Sequence, residues 1–391
     1  MKLSIVVGIL VVSLCGCASS TATPLATATP SATATSTSLS IAATTTSTNR
    51  QFTLVSSGDL LLHERTWTQA RADGKHGNWD FYPQLADLRR MTVPADIALC
   101  HLETPLAKLG GPYSGYPIFN SPPQIVHAVK KLGFDMCDQT SNHSFDAGSA
   151  GIKRTLDALD KAGIAHTGTY RTKTESTEPL VMTVHTSTGN VKVGIIAFTY
   201  GFNGLPYPGG QKWRANKISV SKIEAAARKA RAAGAEVVVA KLHWGDEYTN
   251  YPNSYQTSIA KKLAKSGLIN LIDGDHTHSV QPIQKIGNMW VVYSHGNLDA
   301  AQREPLTIKS EGIVTRWTFS ETTPGVFAIT KAEYAPTLIT DSFPVRVLDV
   351  NRALHTGKWV STTKPRLKKA LSRTSKTVKS MGANVQLMQN W

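Results

Sequence analysis

Five times along this chain a short apolar run ends in a turn that carries Asp, Glu, Asn or His. FTLVSSGD closes on Gly58-Asp59, and DIALC runs into His101-Leu102-Glu103-Thr104. FDMCDQ leads to Ser141-Asn142-His143-Ser144-Phe145-Asp146, and AEVVVAKLH to His243-Trp244-Gly245-Asp246-Glu247. LINLIDGD ends in Asp273-Gly274-Asp275-His276-Thr277-His278. Between these runs lie stretches with apolar residues at helical spacing, such as Leu85, Leu88 and Met91, and the segments 124–132, 151–162, 222–233 and 255–266. Further strand-like runs follow late: VQPIQKIGN, MWVVYSHGN, and the pair 312–319 and 326–334 around a TTPG turn. Early strand-helix alternation followed by a run of strands implies helices covering sheet layers, an α/β fold. No P-loop, G-x-G-x-x-G, G-x-S-x-G or H-E-x-x-H is present, which excludes readings built on those motifs.

In open α/β sheets, ligands bind beyond the carboxyl ends of the strands. Five polar turns on one rim therefore predict one polar pocket. Asp59, Glu103, Asn142, His243, His276 and His278 offer carboxylate, amide and imidazole donors without a thiolate. That mixed O/N set suits one or two divalent ions of the Mn, Zn or Fe kind, and not a structural Cys-type zinc site. His276 and His278 flank one residue and point the same way if the chain is extended. Trp244, Asn203 and His295 are candidate substrate contacts. Glu247 is a candidate partner for a ligand histidine or for substrate.

The motifs SGDLLL, HLETPL, SNHSFDAG, TYGFNG, HWGDEY, DGDHTHSVQP and YSHGNL, in this order, resemble the CapA family of poly-γ-glutamate capsule proteins, a branch of the calcineurin-like metallophosphoesterases. The resemblance runs from Phe52 to about Tyr334. It implies a layered α/β/β/α sandwich of two mixed sheets flanked by helices. It also implies Asp59 and His278 on a first metal, Glu103 as the bridge, and Asn142, His243 and His276 on a second. His143 takes the place of the general acid, oriented by Asp146. The pattern departs from the wider superfamily at Leu61, where a histidine is expected two residues after the first Asp. His63 lies two residues further on. His295 stands where a small uncharged residue is usual.

The ends of the chain add context. Lys2, the apolar run 3–14 and Leu14-Cys15-Gly16-Cys17 read as an export signal over 1–17, with Cys17 the lipidated residue of a bacterial lipoprotein. The apolar run is shorter than the ~20 residues a transmembrane helix needs. Residues 18–49 are almost wholly Ala, Ser, Thr and Pro and read as a tether to a domain over 50–340. Within that domain Cys100 and Cys137 can be either a disulfide or two buried thiols. The formal charge is +15, and a basic extension at 341–391 contributes nine Lys or Arg and no Asp or Glu between Arg352 and Lys379. In an exported protein such charge points to an anionic surface polymer or lipid head groups, not to nucleic acid.

These readings converge on a lipid-anchored protein on the outer face of the membrane. It handles an anionic capsule polymer by metal-dependent hydrolysis, within a capsule synthesis complex. Two other functions fit the residues: a secreted metal-dependent phosphoesterase, and a polymer-binding assembly protein without turnover.

Overall fold

Period-two alternation along the buried strands sets the architecture, because each strand must satisfy two different surroundings. The computed structural model describes residues 49–302 and 307–389; the signal, Cys17 and nearly all of the tether lie outside the described residues. The chain opens with β1 (Gln51–Leu60), α1 (Glu64–Asp73), α2 (Tyr82–Leu85), α3 (Arg89–Thr92) and β2 (Ile97–Leu102). It continues with α4 (Ile125–Leu132), β3 (Met136–Asp138), α5 (Gly148–Lys161) and β4 (Ala165–Thr167). A hairpin of β5 (Leu180–Thr186) and β6 (Gly189–Thr199) precedes α6 (Val220–Ala232), β7 (Val237–His243), α7 (Ser254–Ser266) and β8 (Leu271–Asp275). Then come β9 (Ile283–Ile286), β10 (Met289–Val292), β11 (Asn297–Asp299), β12 (Glu311–Thr323) and β13 (Val326–Ile339). The chain closes with β14 (Val347–Asp349), α8 (Val350–Thr356), α9 (Lys364–Lys379) and β15 (Gln386–Leu387).

These strands form two mixed sheets. One has the order β14-β13-β12-β1-β2-β3-β4, with β11 against β1 and β15 against β13; the other is β5-β6-β7-β8-β10-β9. In the first sheet β1 to β4 are parallel and β12 to β14 antiparallel. In the second β6, β7, β8 and β10 are parallel, edged by antiparallel β5 and β9. Phe52, Leu54, Ile97, Leu99 and Met136 of the first sheet pack on Val193, Val237, Val239 and Leu271 of the second, so the sheets lie face to face. The intervening residues face outward: Val55, Ala98 and Cys137 pack with α4 and α5, and Val238, Ala240 and Leu242 with α6 and α7. The result is the expected α/β/β/α sandwich.

Cys100 and Cys137 are register partners on β2 and β3, with Cα atoms 4.5 Å apart, and form a disulfide on the outward face of the first sheet. Among the described residues, no helix is long and apolar enough to cross a membrane.

The segment beyond 340 is not a solvated extension. β14 and β15 extend the first sheet, and Leu367, Ala370, Thr374 and Val378 form a buried stripe along α9. The basic residues take the other sides: Lys368, Lys369 and Lys376 are exposed, while Arg366 and Arg373 converge on the buried Glu311. The helical spacing of that stripe was present in the sequence but masked by its charge. Leu367 is fully buried against Leu338, Val350 and Ala353. Leu367→Ala is therefore expected to cost about 2–5 kcal/mol in urea unfolding. A loss below about 0.5 kcal/mol, usual for a surface site, would show that α9 is not part of the core.

Candidate metal centre

The inner faces of the sandwich change character toward the carboxyl ends of the strands. Leu99 and Val239 pack in the apolar layer; two residues on, His101 and Lys241 point into the same inter-sheet space, and two more bring Glu103 and His243. On β8 the same step runs Leu271, Asp273, Asp275. Lys241 Nζ lies 3.0 Å from Asp273 Oδ2, 2.9 Å from Asp275 Oδ2 and 3.9 Å from Asp138 Oδ1. Ser56 donates to Asp273 from the opposite sheet. His101 Nδ1 is 2.8 Å from Asp138 Oδ2, and His295 Nε2 3.1 Å from Asp273 Oδ1. Three carboxylates thus share one layer with Lys241 and two histidines, bridging the two sheets.

Above this layer the six ligands named from the sequence come together, all at least 97% buried. Asp59, Glu103 and His278 offer ligand atoms within 4.8 Å of one another; Glu103, His243 and His276 form a second such group. Asn142 Oδ1 sits 2.8 Å from His243 Nε2. Asp59 accepts from the His276 amide at 3.2 Å and lies 3.1 Å from His278 Nδ1. Glu103 is 3.8 Å from His243 Nε2 and 3.9 Å from His278 Nε2.

Local backbone constraints place these groups. A Cβ on Gly58 would meet Gly296 O at 1.8 Å, so only glycine lets β1 approach that loop and deliver Asp59. His276 and His278 are not extended as their spacing suggests: both have positive φ, 99° and 50°. A turn, not strand alternation, aims them inward. Such left-handed non-glycine residues persist only where surrounding contacts over-determine them.

The electrostatics are those of a site that wants a cation. Burial drives the Glu103 carboxyl above its ordinary range despite nearby His278, and both its oxygens lack a hydrogen-bond partner. Burial likewise pushes His276 down to about 3 and His243 well below its ordinary value. Burial disfavours charge on His278 too, but Glu103 and Asp59 outweigh it and hold it at about 9. His243 Nδ1, His276 Nδ1 and His101 Nε2 are also buried without partners. Buried polar atoms are normally satisfied, and the unsatisfied atoms here are of metal-ligand types, on residues whose ligand atoms converge. The residues present fit a divalent ion.

His143, 5% exposed, stands beside this cluster with Nδ1 2.7 Å from Asp146 Oδ2. Asp146 also accepts from Phe119 N at 2.8 Å, and the Phe119 ring packs edge-on against the imidazole. The ring is thereby fixed with Nδ1 as its donor. Asn203 is exposed at the mouth, and its Oδ1 accepts from Asn142 Nδ2 at 3.1 Å. Glu247 is exposed, and its carboxylate lies within 4.8 Å of ligand atoms of His276 and His278.

Two expected substrate contacts are corrected. Trp244 follows inward-facing His243 on its strand and so faces outward; it is fully buried, with Nε1 donating to Tyr293 O at 2.9 Å. His295 is fully buried between Asp273 and Asp275, in the ionic layer beneath the pocket. Neither can touch a substrate. His101, which stands in one of the five polar turns but outside the six ligands, and Asp138 and Lys241, which stand outside the candidate site residues, also belong to the centre. Their signal was available: each stands at an inward position of an otherwise apolar strand.

The chain belongs to the family described as bacterial capsule synthesis protein PGA_cap, whose sequence model matches residues 53–302. It is 28% identical over 179 residues to the capsule biosynthesis protein CapA of Bacillus anthracis, covering 44% of this chain and 42% of that one. It is 26% identical over 178 residues to the PGA biosynthesis protein CapA of Bacillus subtilis (strain 168), covering 44% of each. The match thus spans less than half of these relatives. Among solved structures, the calcineurin-like phosphoesterase YfkN from Bacillus subtilis aligns with a TM-score of 0.46 at 14% identity, over 86% of this chain and all of that one. The NAD nucleotidase of Haemophilus influenzae aligns at 0.44 and 13%, over 88% and 65%.

Proposed function

We propose that this protein serves the synthesis, processing or wall attachment of an anionic capsule polymer of the poly-γ-glutamate type, through metal-dependent hydrolysis. In this reading it is held to the outer face of the membrane by a lipidated Cys17. The observation that carries the catalytic part is the convergence of buried ligand atoms of Glu103, His243 and His276, residues that each carry an atom without a hydrogen-bond partner. The family membership and the capsule roles named for the relatives support the polymer.

A divalent ion in such a site supplies Lewis acidity and lowers the pKa of water. The chain's own groups do the rest. Asp59, Glu103, Asn142, His243, His276 and His278 hold the ion, with Glu247 within reach. Asp146 keeps the His143 ring oriented so that, when the ring carries both protons, Nε2 can give one to a leaving group. Asn203, exposed and hydrogen-bonded to Asn142, is the proposed contact for an extended chain.

The test is turnover by the metal-loaded protein on a γ-glutamyl polymer and on phosphoesters, following released glutamate and phosphate. Release of glutamate alone is expected. Release of phosphate alone would replace the polymer with an ester, and no release from either would leave a polymer-binding protein. His143→Ala is expected to keep its metal and lose about 10²–10⁴-fold in turnover. Loss of the metal itself would make His143 a ligand and not a proton donor.

A further inference from the structure

The chain lacks a histidine at position 61, where Leu61 is buried in the apolar cluster outside the first sheet. We infer that His101 supplies the missing imidazole, ligating the ion held by Asp59. This rests on the metal-binding reading above and adds a ligand to it.

Three observations place it there. His101 is the register partner of Asp59 across β1 and β2, and its Nε2 lies 3.8 Å from Asp59 Oδ1. Ligand atoms of Asp59, His101 and His243 all fall within 4.8 Å of one another. His101 is 1% exposed and Nε2 has no hydrogen-bond partner, although Nδ1 is fully engaged by Asp138 at 2.8 Å. A carboxylate on one ring nitrogen fixes the tautomer, orients the ring and leaves the other nitrogen's lone pair for a metal. Asp138 is itself steadied by Lys241 Nζ at 3.9 Å, so the support continues into the ionic layer.

His63 is the other histidine near position 61, and it does not serve. It belongs to none of the groups whose ligand atoms converge among the described residues. The step from position 61, just past the end of β1, to position 101 on β2 moves the donor to the neighbouring strand while keeping it beside Asp59.

A competing role for His101 is a proton on Nε2 that neutralises Asp59. Cobalt(II) binding distinguishes the two. The full chain, stripped with EDTA and dialysed against cobalt(II) alone, is compared with His101→Asn, His101→Gln and Asp138→Asn. The readouts are bound cobalt per chain, affinity and the visible ligand-field spectrum. A ligand role is expected to weaken one cobalt in both His101 variants by more than the roughly 10–100-fold that loss of an outer supporting residue costs, and to change the spectrum. Asp138→Asn is expected to fall within that 10–100-fold range. Circular dichroism melts in EDTA identify the folded variants, and either His101 variant, once folded, decides the question. Wild-type affinity and spectrum in the folded variants would overturn the His101 assignment and leave the metal centre standing. No cobalt on the wild type would overturn both.

Discussion

Lys241→Met is expected to destabilise the protein by about 3–5 kcal/mol at pH 7, a large part of the 5–15 kcal/mol usual for a domain. Lys241 is 1% exposed and lies among Asp138, Asp273 and Asp275. Burial alone would raise the Asp273 and Asp275 carboxyls; Lys241, together with His295, Ser56 at Asp273 and His101 at Asp275, outweighs this and holds both below their ordinary value. A depressed carboxyl contributes stability that is present above its unfolded pKa, near 3.9, and is lost as pH falls through the folded value. Without Lys241 burial is opposed by Ser56, His295 and His101, and both carboxyls are expected to rise. The deficit of the variant is therefore largest at neutral pH and shrinks as acid protonates the carboxyls. Urea unfolding in EDTA at pH 7 and pH 5 measures both points. A deficit under 1 kcal/mol, or one that grows toward pH 5, would show that the ionic layer does not hold the sheets together.

His276→Ala is expected to abolish the response of the protein to divalent metal. A ligand that binds only the folded state stabilises it by about 2.7 kcal/mol at a hundred times its Kd. The wild type should therefore melt higher in manganese or zinc than in EDTA, and the variant should melt at one temperature in both. His276 has Nδ1 buried without a partner and groups with Glu103 and His243, and separately with Glu247 and His278. Its removal takes a donor from both groups. A variant that still gains the full metal-dependent rise would place the ion elsewhere.

Much of this site could be read from the sequence, for a physical reason. The ligands Asp59, Glu103, Asn142, His243, His276 and His278 occupy turns, and polar residues after apolar runs stand out from their surroundings. The two-sheet sandwich followed from strand-helix alternation together with the family resemblance. The ionic layer was harder, because Lys241 and Asp273 sit inside runs that otherwise read as core. Only when β7 and β8 are paired opposite β1 and β3 do Ser56, Asp138, Lys241 and Asp273 become neighbours, and pairing is a tertiary fact. Trp244 was misplaced for the converse reason: nearness in sequence to His243 suggested the pocket, whereas alternation sends it to the opposite face. The α9 stripe was hidden by charge, since Lys and Arg flank Leu367 and Ala370 at every turn.

The most direct test of the account is the metal content of the purified wild-type chain, measured by elemental analysis after dialysis against manganese, zinc and iron(II) in turn. One or two equivalents of a divalent ion per chain, released by EDTA and absent from His276→Ala, are expected. A wild-type protein that keeps less than a tenth of an equivalent of every metal offered would contradict it, and with it the hydrolytic reading of the pocket.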